Sequence, residues 1–390
     1  MTKSDVKRLV RPNILALEPY STARDEYEGG EIDVWLDANE NPFDNGINRY
    51  PDPHQVALKK QLAQIKSVAP QSIFIGNGSD EAIDLMFRVF ARPAVDNAVS
   101  IAPTYGMYRV AAATNDIEMR EVQLGENFEL PVAELLAAAD ENTKLMWICS
   151  PNNPTGNSFA KSDIVELLTK FRGVVIVDEA YIDFATEGGL LSELANYENL
   201  IVLQTLSKAW GMAGLRFGLA FASREVIGLM NRVKYPYNIG VLTQAKVAEQ
   251  LKKGVAEQVA EILNERTKVV AALEAMSLEA TNPETTSPET TSPETTNPET
   301  TNPETTSTVE RVYPTEANFV LIKVAAADAL YDALVAEGVI VRNRSRVKGC
   351  ANTLRLTIGT AAENERMLAV IKDFKGTSYT FAKRLKMNNI

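Results

Sequence analysis

What most constrains this chain is an alternation. From about residue 33 to about residue 248, short runs of apolar residues take turns with amphipathic stretches of helical period. Residues 72–75, 98–101, 145–149, 174–177, 200–204 and 217–221 are rich in Val, Ile and Leu and show little polar alternation. A strand that is apolar on both faces must be covered on both, as strands are in parallel sheets packed between helices. Between these runs, residues 80–90 place Ile83, Met86, Phe87 and Phe90 at helical spacing, and residues 162–171 do the same with Ile164, Leu167 and Leu168. The alternation predicts an α/β fold: a mostly parallel sheet sandwiched by helices in a large domain. Residues 241–276 read as one or two long helices. Beyond them, strands over 318–324 and 353–358 and helices over 326–337 and 361–374 predict a smaller α+β domain.

Composition narrows the chemistry. A chain of 390 residues, 45% apolar and 23% charged, has the profile of a globular protein with room for a large core and a satellite domain. Its net charge of −11 opposes a nucleic-acid partner, which needs a basic face. There is one histidine, His54, and there are two cysteines, Cys149 and Cys350. A Ser-His-Asp or Cys-His site could use only His54, and a zinc site would have at most three soft ligands, so no metal is expected. A disulfide framework is excluded, and two cysteines suit a reducing compartment. No signal-peptide core and no membrane-length apolar window is present, so the expected location is the cytoplasm, with no membrane partner. His54, in a polar Pro53-His54-Gln55 turn, reads as an exposed loop residue, and Cys149 as a buried hydrophobe.

Residues 282–306 are five tandem copies of the pentapeptide Ser/Asn-Pro-Glu-Thr-Thr. No copy holds an apolar residue to bury, and proline every fifth residue blocks a helix. The repeat reads as a solvated, disordered loop, in preference to a modified or binding stalk. Loop closure makes such an insert tolerable at roughly one or two kcal/mol. The expected layout is an N-terminal segment 1–32 packing with the small domain, a large domain 33–248, a small domain 249–374 interrupted by the insert 281–308, and a tail 375–390.

Four motifs could carry chemistry. Gly76-Asn77-Gly78-Ser79-Asp80-Glu81 follows a strand and opens a helix, where free N–H groups can meet an anion. Taken alone it reads as an ordinary helix start, with Ser79 as N-cap and Asp80 and Glu81 complementing the dipole. Ser150-Pro151-Asn152-Asn153-Pro154-Thr155-Gly156 makes a rigid turn at a strand's carboxyl end, the edge where open α/β sheets bind ligands. Asp178-Glu179-Ala180-Tyr181 ends an apolar strand, where a carboxylate stays ionised only beside a cation or several donors. It is equally an ordinary strand-end Asp. In the stretch 205–216, Lys208 sits in a loop of small residues beside Ser207, with Arg216 eight positions on. A lysine is usually a surface residue. A partly buried one near other cations can act as a nucleophilic amine. Together these features match the needs of pyridoxal 5'-phosphate: a lysine for covalent attachment, an acid for the ring nitrogen and a phosphate cup.

In order and spacing the sequence resembles the fold-type-I aminotransferases and, more narrowly, the histidinol-phosphate aminotransferase family. The matching stretches are the four motifs with Leu17-Glu18-Pro19-Tyr20, residues 36–42 (Leu-Asp-Ala-Asn-Glu-Asn-Pro), Arg49-Tyr50-Pro51, residues 103–108 (Pro-Thr-Tyr-Gly-Met-Tyr) and residues 354–359 (Leu-Arg-Leu-Thr-Ile-Gly). The resemblance implies Lys208 as the amine that holds the cofactor and moves the proton, and Asp178 as the partner of the ring nitrogen. It implies Asn153 and Tyr181 at the ring's 3-oxygen, and Tyr105 stacked on the ring. Backbone groups at Ser79 and Asp80, with Ser207 and Arg216, would hold the phosphate. Tyr50 would reach that phosphate from the neighbouring subunit of a homodimer. Arg355 would bind the substrate's anionic end, with Tyr20, Asn39 and either Arg342 or Arg344. The implied reaction is reversible amino transfer between L-histidinol phosphate and 2-oxoglutarate, giving imidazole acetol phosphate and glutamate. An aromatic aminotransferase or a threonine-phosphate decarboxylase is the alternative on the same scaffold.

Overall fold

The computed structural model describes residues 6–22, 32–278 and 308–374. The tail 375–390, and all of the expected insert but its last residue, lie outside the described residues. The chain divides into two compact units, one formed by 1–153 with 157–259, the other by 154–156 with 260–390.

The first unit is built on seven strands: β1 (Ile73–Asn77), β2 (Asn97–Ala102), β3 (Glu118–Gln123), β4 (Thr143–Cys149), β5 (Val174–Asp178), β6 (Leu200–Thr205) and β7 (Phe217–Phe221). Their order across the sheet is β1-β7-β6-β5-β4-β2-β3. The β2, β4, β5 and β6 runs are buried along nearly their whole length, as strands covered on both faces must be. The helices of this unit are α1 (Pro12–Leu15), α2 (Val56–Lys66), α3 (Ser79–Phe90), α4 (Met107–Thr114), α5 (Val132–Ala137), α6 (Lys161–Lys170), α7 (Arg224–Val233) and α8 (Val241–Leu251). One core cluster joins α3 and α7 to the sheet through Ile83, Met86, Phe87, Phe90, Val226 and Met230.

Three features depart from expectation. β7 runs antiparallel to both of its neighbours, β1 and β6. β3 is a polar, half-exposed edge strand (Glu-Met-Arg-Glu-Val-Gln) that carries no buried-strand signature. Val6, Val10 and Ile14 are buried in the core of this unit, so this part of the N-terminal segment packs with the large unit and not, as expected, with the small one. Val6 lies in a short 3-10 turn and Ile14 in α1, with the non-helical Val10 and Arg11 between them.

The second unit holds a four-stranded antiparallel sheet of order β10-β11-β9-β8, from β8 (Val309–Val312), β9 (Phe319–Val324), β10 (Arg342–Asn343) and β11 (Thr353–Thr357). The long helix α9 (Ala256–Leu278), together with α10 (Ala327–Ala336) and α11 (Ala361–Asp373), covers it through Val269, Leu273, Leu330, Leu334, Met367 and Ile371. The span 241–276 is thus two helices, α8 and α9. Among the described residues no helix is long and apolar enough to cross a membrane.

Candidate active site

The antiparallel β7 decides what lies at the carboxyl edge of the large sheet. β6 leaves that edge at Thr205, and β7 starts back from the same edge, pairing Gly218 with Thr205 and with Gly76 of β1. The connecting loop 206–216 therefore begins and ends at one edge, and both Lys208 and Arg216 are delivered there. Gly218 lets the start of α3 rest directly on β7: a Cβ there would lie 2.0 Å from the Ser79 nitrogen. Gly78, at φ +77°, precedes α3 as its N-cap, and a Cβ on it would lie 2.7 Å from Arg216 Nη2. Ser79 is the first helical residue and not the expected N-cap. The Gly78 N–H donates to the Arg216 carbonyl at 2.8 Å. Arg216 thus lies against the amino terminus of a twelve-residue helix.

Asp178 ends β5, buried and in register with Cys149 of β4 and Leu203 of β6. Its Oδ2 accepts from the Tyr108 hydroxyl at 2.6 Å, and its Oδ1 from the Ala180 N–H at 3.1 Å. Burial pushes its pKa up to about 6, opposed chiefly by the Tyr108 hydrogen bond and also by the nearby Lys208 ammonium. Lys208 Nζ lies 5.6 Å from the centre of the Tyr181 ring. The Tyr181 hydroxyl accepts from Asn153 Nδ2 at 3.4 Å. Asn153, Asp178, Tyr181 and Lys208 are thereby gathered at one strand-end cluster. Beside it, Asp80 accepts from the Tyr105 hydroxyl at 3.1 Å and from Arg216 Nη2 at 3.2 Å. Burial raises the Tyr105 pKa, and the Asp80 carboxylate adds to it, so this phenol stays protonated. Ser207 is oriented by Thr205, whose Oγ1 donates to Ser207 Oγ at 3.0 Å and accepts the Ser207 N–H at 3.1 Å.

The remaining predicted residues lie outside this cluster of contacts. Tyr20 and Asn39 are on exposed chain. Tyr50 is half exposed and stacks on Tyr237, with ring centres 4.4 Å apart. The three arginines belong to the second unit. Arg342 of β10 stands directly opposite Arg355 of β11 in the register, and the Arg355 guanidinium lies 5.0 Å over the Phe319 ring. Burial lowers the Arg344 pKa, with the Arg355 and Arg342 charges adding to it. Arg344 Nε and Ser345 Oγ are buried with no hydrogen-bond partner among the described residues. His54 is exposed and Cys149 buried, as the sequence reading expects.

Two residues quoted within the motifs, Tyr108 and Glu179, carry contacts that the motifs do not assign them. Tyr108 lies in the first turn of α4, and nothing local to it marks its partner, Asp178. Glu179 turns away from Asp178 into a cavity of about 40 Å³, where it accepts the Leu190 N–H at 2.6 Å and Gln204 Nε2 at 2.9 Å. Burial raises its pKa to about 7.

A buried carboxylate, an amine, a tyrosine–asparagine pair and a helix start beside an arginine now stand at one sheet edge. The family model described as aminotransferase class I and II matches residues 23–371. The chain belongs to this family. Among its relatives is a histidinol-phosphate aminotransferase of Parabacteroides distasonis, 48% identical over 373 residues that cover 95% of this chain and 99% of that protein. The histidinol-phosphate aminotransferase of Clostridium acetobutylicum shares the fold, with a TM-score of 0.71 at 22% identity, covering 84% of this chain and 90% of that one. So does the histidinol-phosphate aminotransferase of Sinorhizobium meliloti in complex with pyridoxal-5'-phosphate, with a TM-score of 0.68 at 20% identity over 83% of this chain and 82% of that one.

Proposed function

We propose that this chain catalyses reversible amino transfer between L-histidinol phosphate and 2-oxoglutarate, giving imidazole acetol phosphate and glutamate, a step of histidine biosynthesis. Its cofactor on this reading is pyridoxal 5'-phosphate. The observation that carries amino transfer is the gathering of Lys208, Asp178, Tyr181 and Asn153 at one sheet edge. The substrate is supported by the 48% identity to a histidinol-phosphate aminotransferase over 95% of the chain.

The residues present fit the cofactor. Asp178 is a buried carboxylate whose burial cost a ring cation would offset. The space at Gly78 that any Cβ would fill, the helix start behind it, Ser207 and Arg216 suit a phosphate. When bound, the cofactor supplies an aromatic system that delocalises the charge left as a proton leaves the substrate's amino-bearing carbon. Asp178 would hold the proton on the ring nitrogen. Asn153 and Tyr181 would donate to the ring's 3-oxygen, Tyr105 would stack on the ring, and Lys208 Nζ would carry the proton between carbons. Arg355 would take the substrate's phosphate or the distal carboxylate of glutamate, since its planar fork suits both, with Arg342 or Arg344, Tyr20 and Asn39 assisting.

The working unit on this reading is a cytoplasmic homodimer in which Tyr50 reaches the partner's phosphate. Its support is a stretch of exposed apolar side chains that includes Leu36, Phe43, Ile47 and Tyr50. A two-substrate assay with histidinol phosphate and 2-oxoglutarate tests the reaction; ping-pong turnover is expected. Absence of turnover with histidinol phosphate, alongside turnover of aromatic amino acids or decarboxylation of threonine phosphate, would replace the substrate assignment. Sedimentation at working concentration tests the dimer.

A further inference from the structure

We infer that Tyr108 is a positioning residue for this reaction: its hydroxyl fixes the Asp178 carboxylate so that Asp178 can keep the cofactor's ring nitrogen protonated. The inference rests on the function proposed above.

Tyr108 is one of the most deeply buried side chains of the protein, 1% exposed. Its ring is held on two sides, stacked on Trp147 at 4.9 Å and edge-on to Tyr105 at 5.6 Å. Phe87 backs Trp147 at 5.3 Å. The phenol therefore has little freedom to turn, and its O–H is directed at Asp178 Oδ2 at 2.6 Å, the length of a charge-assisted bond. The Ala180 N–H serves the other oxygen. Each carboxylate oxygen thus receives one donor and keeps lone-pair capacity for a further one. The charged or titratable groups that interact with Asp178 or Tyr108 include Lys208, Asp80, Glu179, Tyr105 and the Cys149 thiol. Among them Lys208 alone is a cation, and on the proposed reading its amine is committed to covalent chemistry. Tyr108 is then the side-chain donor that does not change during turnover.

A carboxylate and a ring nitrogen that share a proton compete for it. Removing the Tyr108 O–H makes Asp178 the stronger base and draws the proton off the ring. A purely structural tyrosine would leave that balance alone.

The test uses the full chain loaded with pyridoxal phosphate labelled with 15N in the ring. In the unaltered protein the ring nitrogen should resonate at its protonated position near neutral pH. In Tyr108→Phe the resonance should move toward neutral pyridine, the cofactor should dissociate more readily, and kcat should fall about tenfold or more with KM nearly unchanged. Fluorinated tyrosine at position 108, a stronger donor of the same shape, should move the resonance the opposite way. This keeps the test informative if the phenylalanine variant folds poorly. An unmoved resonance in both variants overturns the role of Tyr108, whatever happens to activity. An unaltered protein that binds no pyridoxal phosphate overturns the functional reading itself, and the two failures are distinguishable.

Discussion

The two charged regions of this protein are built in opposite ways. At the end of β5, Asp178 is sealed from water, and each of its oxygens already has a donor. At the β10–β11 edge, Arg342 and Arg355 face each other across the strands, and Arg344 crowds both. The first arrangement is a single carboxylate held by directed donors, with the Lys208 ammonium nearby. The second is a concentration of like charge. On the proposed function the difference has a reason. A cofactor that stays in place calls for one fixed protonation state, which burial and directed donors enforce. Two substrates that alternate, one a phosphate and one a carboxylate, call for a receptor tolerant of both.

The contrast can be broken at either end. The largest effect is expected from Lys208→Ala, which should lower turnover by about 10⁴-fold or more and abolish the lysine-linked cofactor seen by mass spectrometry after borohydride reduction. Asp178→Asn keeps the shape and removes the charge; kcat should fall roughly 10²- to 10³-fold, and a variant within a few fold of the original would contradict a fixed anionic site. pH gives a third handle on the cofactor-free protein. The Asp178 pKa is raised by folding to about 6, so its contribution to stability is fully present below pH about 4 and is lost as pH rises through 6. The change should be roughly 3 kcal/mol in a denaturant titration, flattened by Asp178→Asn and by saturating cofactor. Glu179, raised to about 7, adds a loss of the same sign at higher pH, which Glu179→Gln should remove. At the other end, Arg355→Ala should raise KM for histidinol phosphate by about 10- to 100-fold, the worth of a charged hydrogen bond. The smallest effect sharpens the contrast most. Arg342→Gln should stabilise the protein by about 0.2–1 kcal/mol, because it removes one of two directly opposed like charges. A destabilised variant would show that this edge is not self-repelling.

The layered fold was legible because burial on both faces leaves a compositional mark. β2, β4, β5 and β6 carry it, and so does β7, whose expected span 217–221 is the observed one. Its direction is not written in apolarity, since strand polarity depends on which edge the preceding loop returns to. β3 was missed because an edge strand exposes one side and can be as polar as a loop. β8 and β10, of four and two residues, are too short to show any period. In the site, Lys208 and Asp178 were readable from residue type and position at strand ends. Tyr108 was not, because its value comes from a hydroxyl meeting a carboxylate 70 residues away, and such a contact exists only after β2, β4 and β5 have paired.

The reversal at β7 carries one more consequence. The amine and the guanidinium sit in the loop that joins the two arms of a single hairpin, whose arms are paired from Thr205–Gly218 to Val202–Phe221. The paired arms fix both ends of that loop, and the Gly78 N–H and the Asp80 carboxylate of the neighbouring helix start hold its Arg216 end as well. A change confined to the far outer strand β3 would therefore reach neither group directly, since β3 pairs with β2 and not with this hairpin.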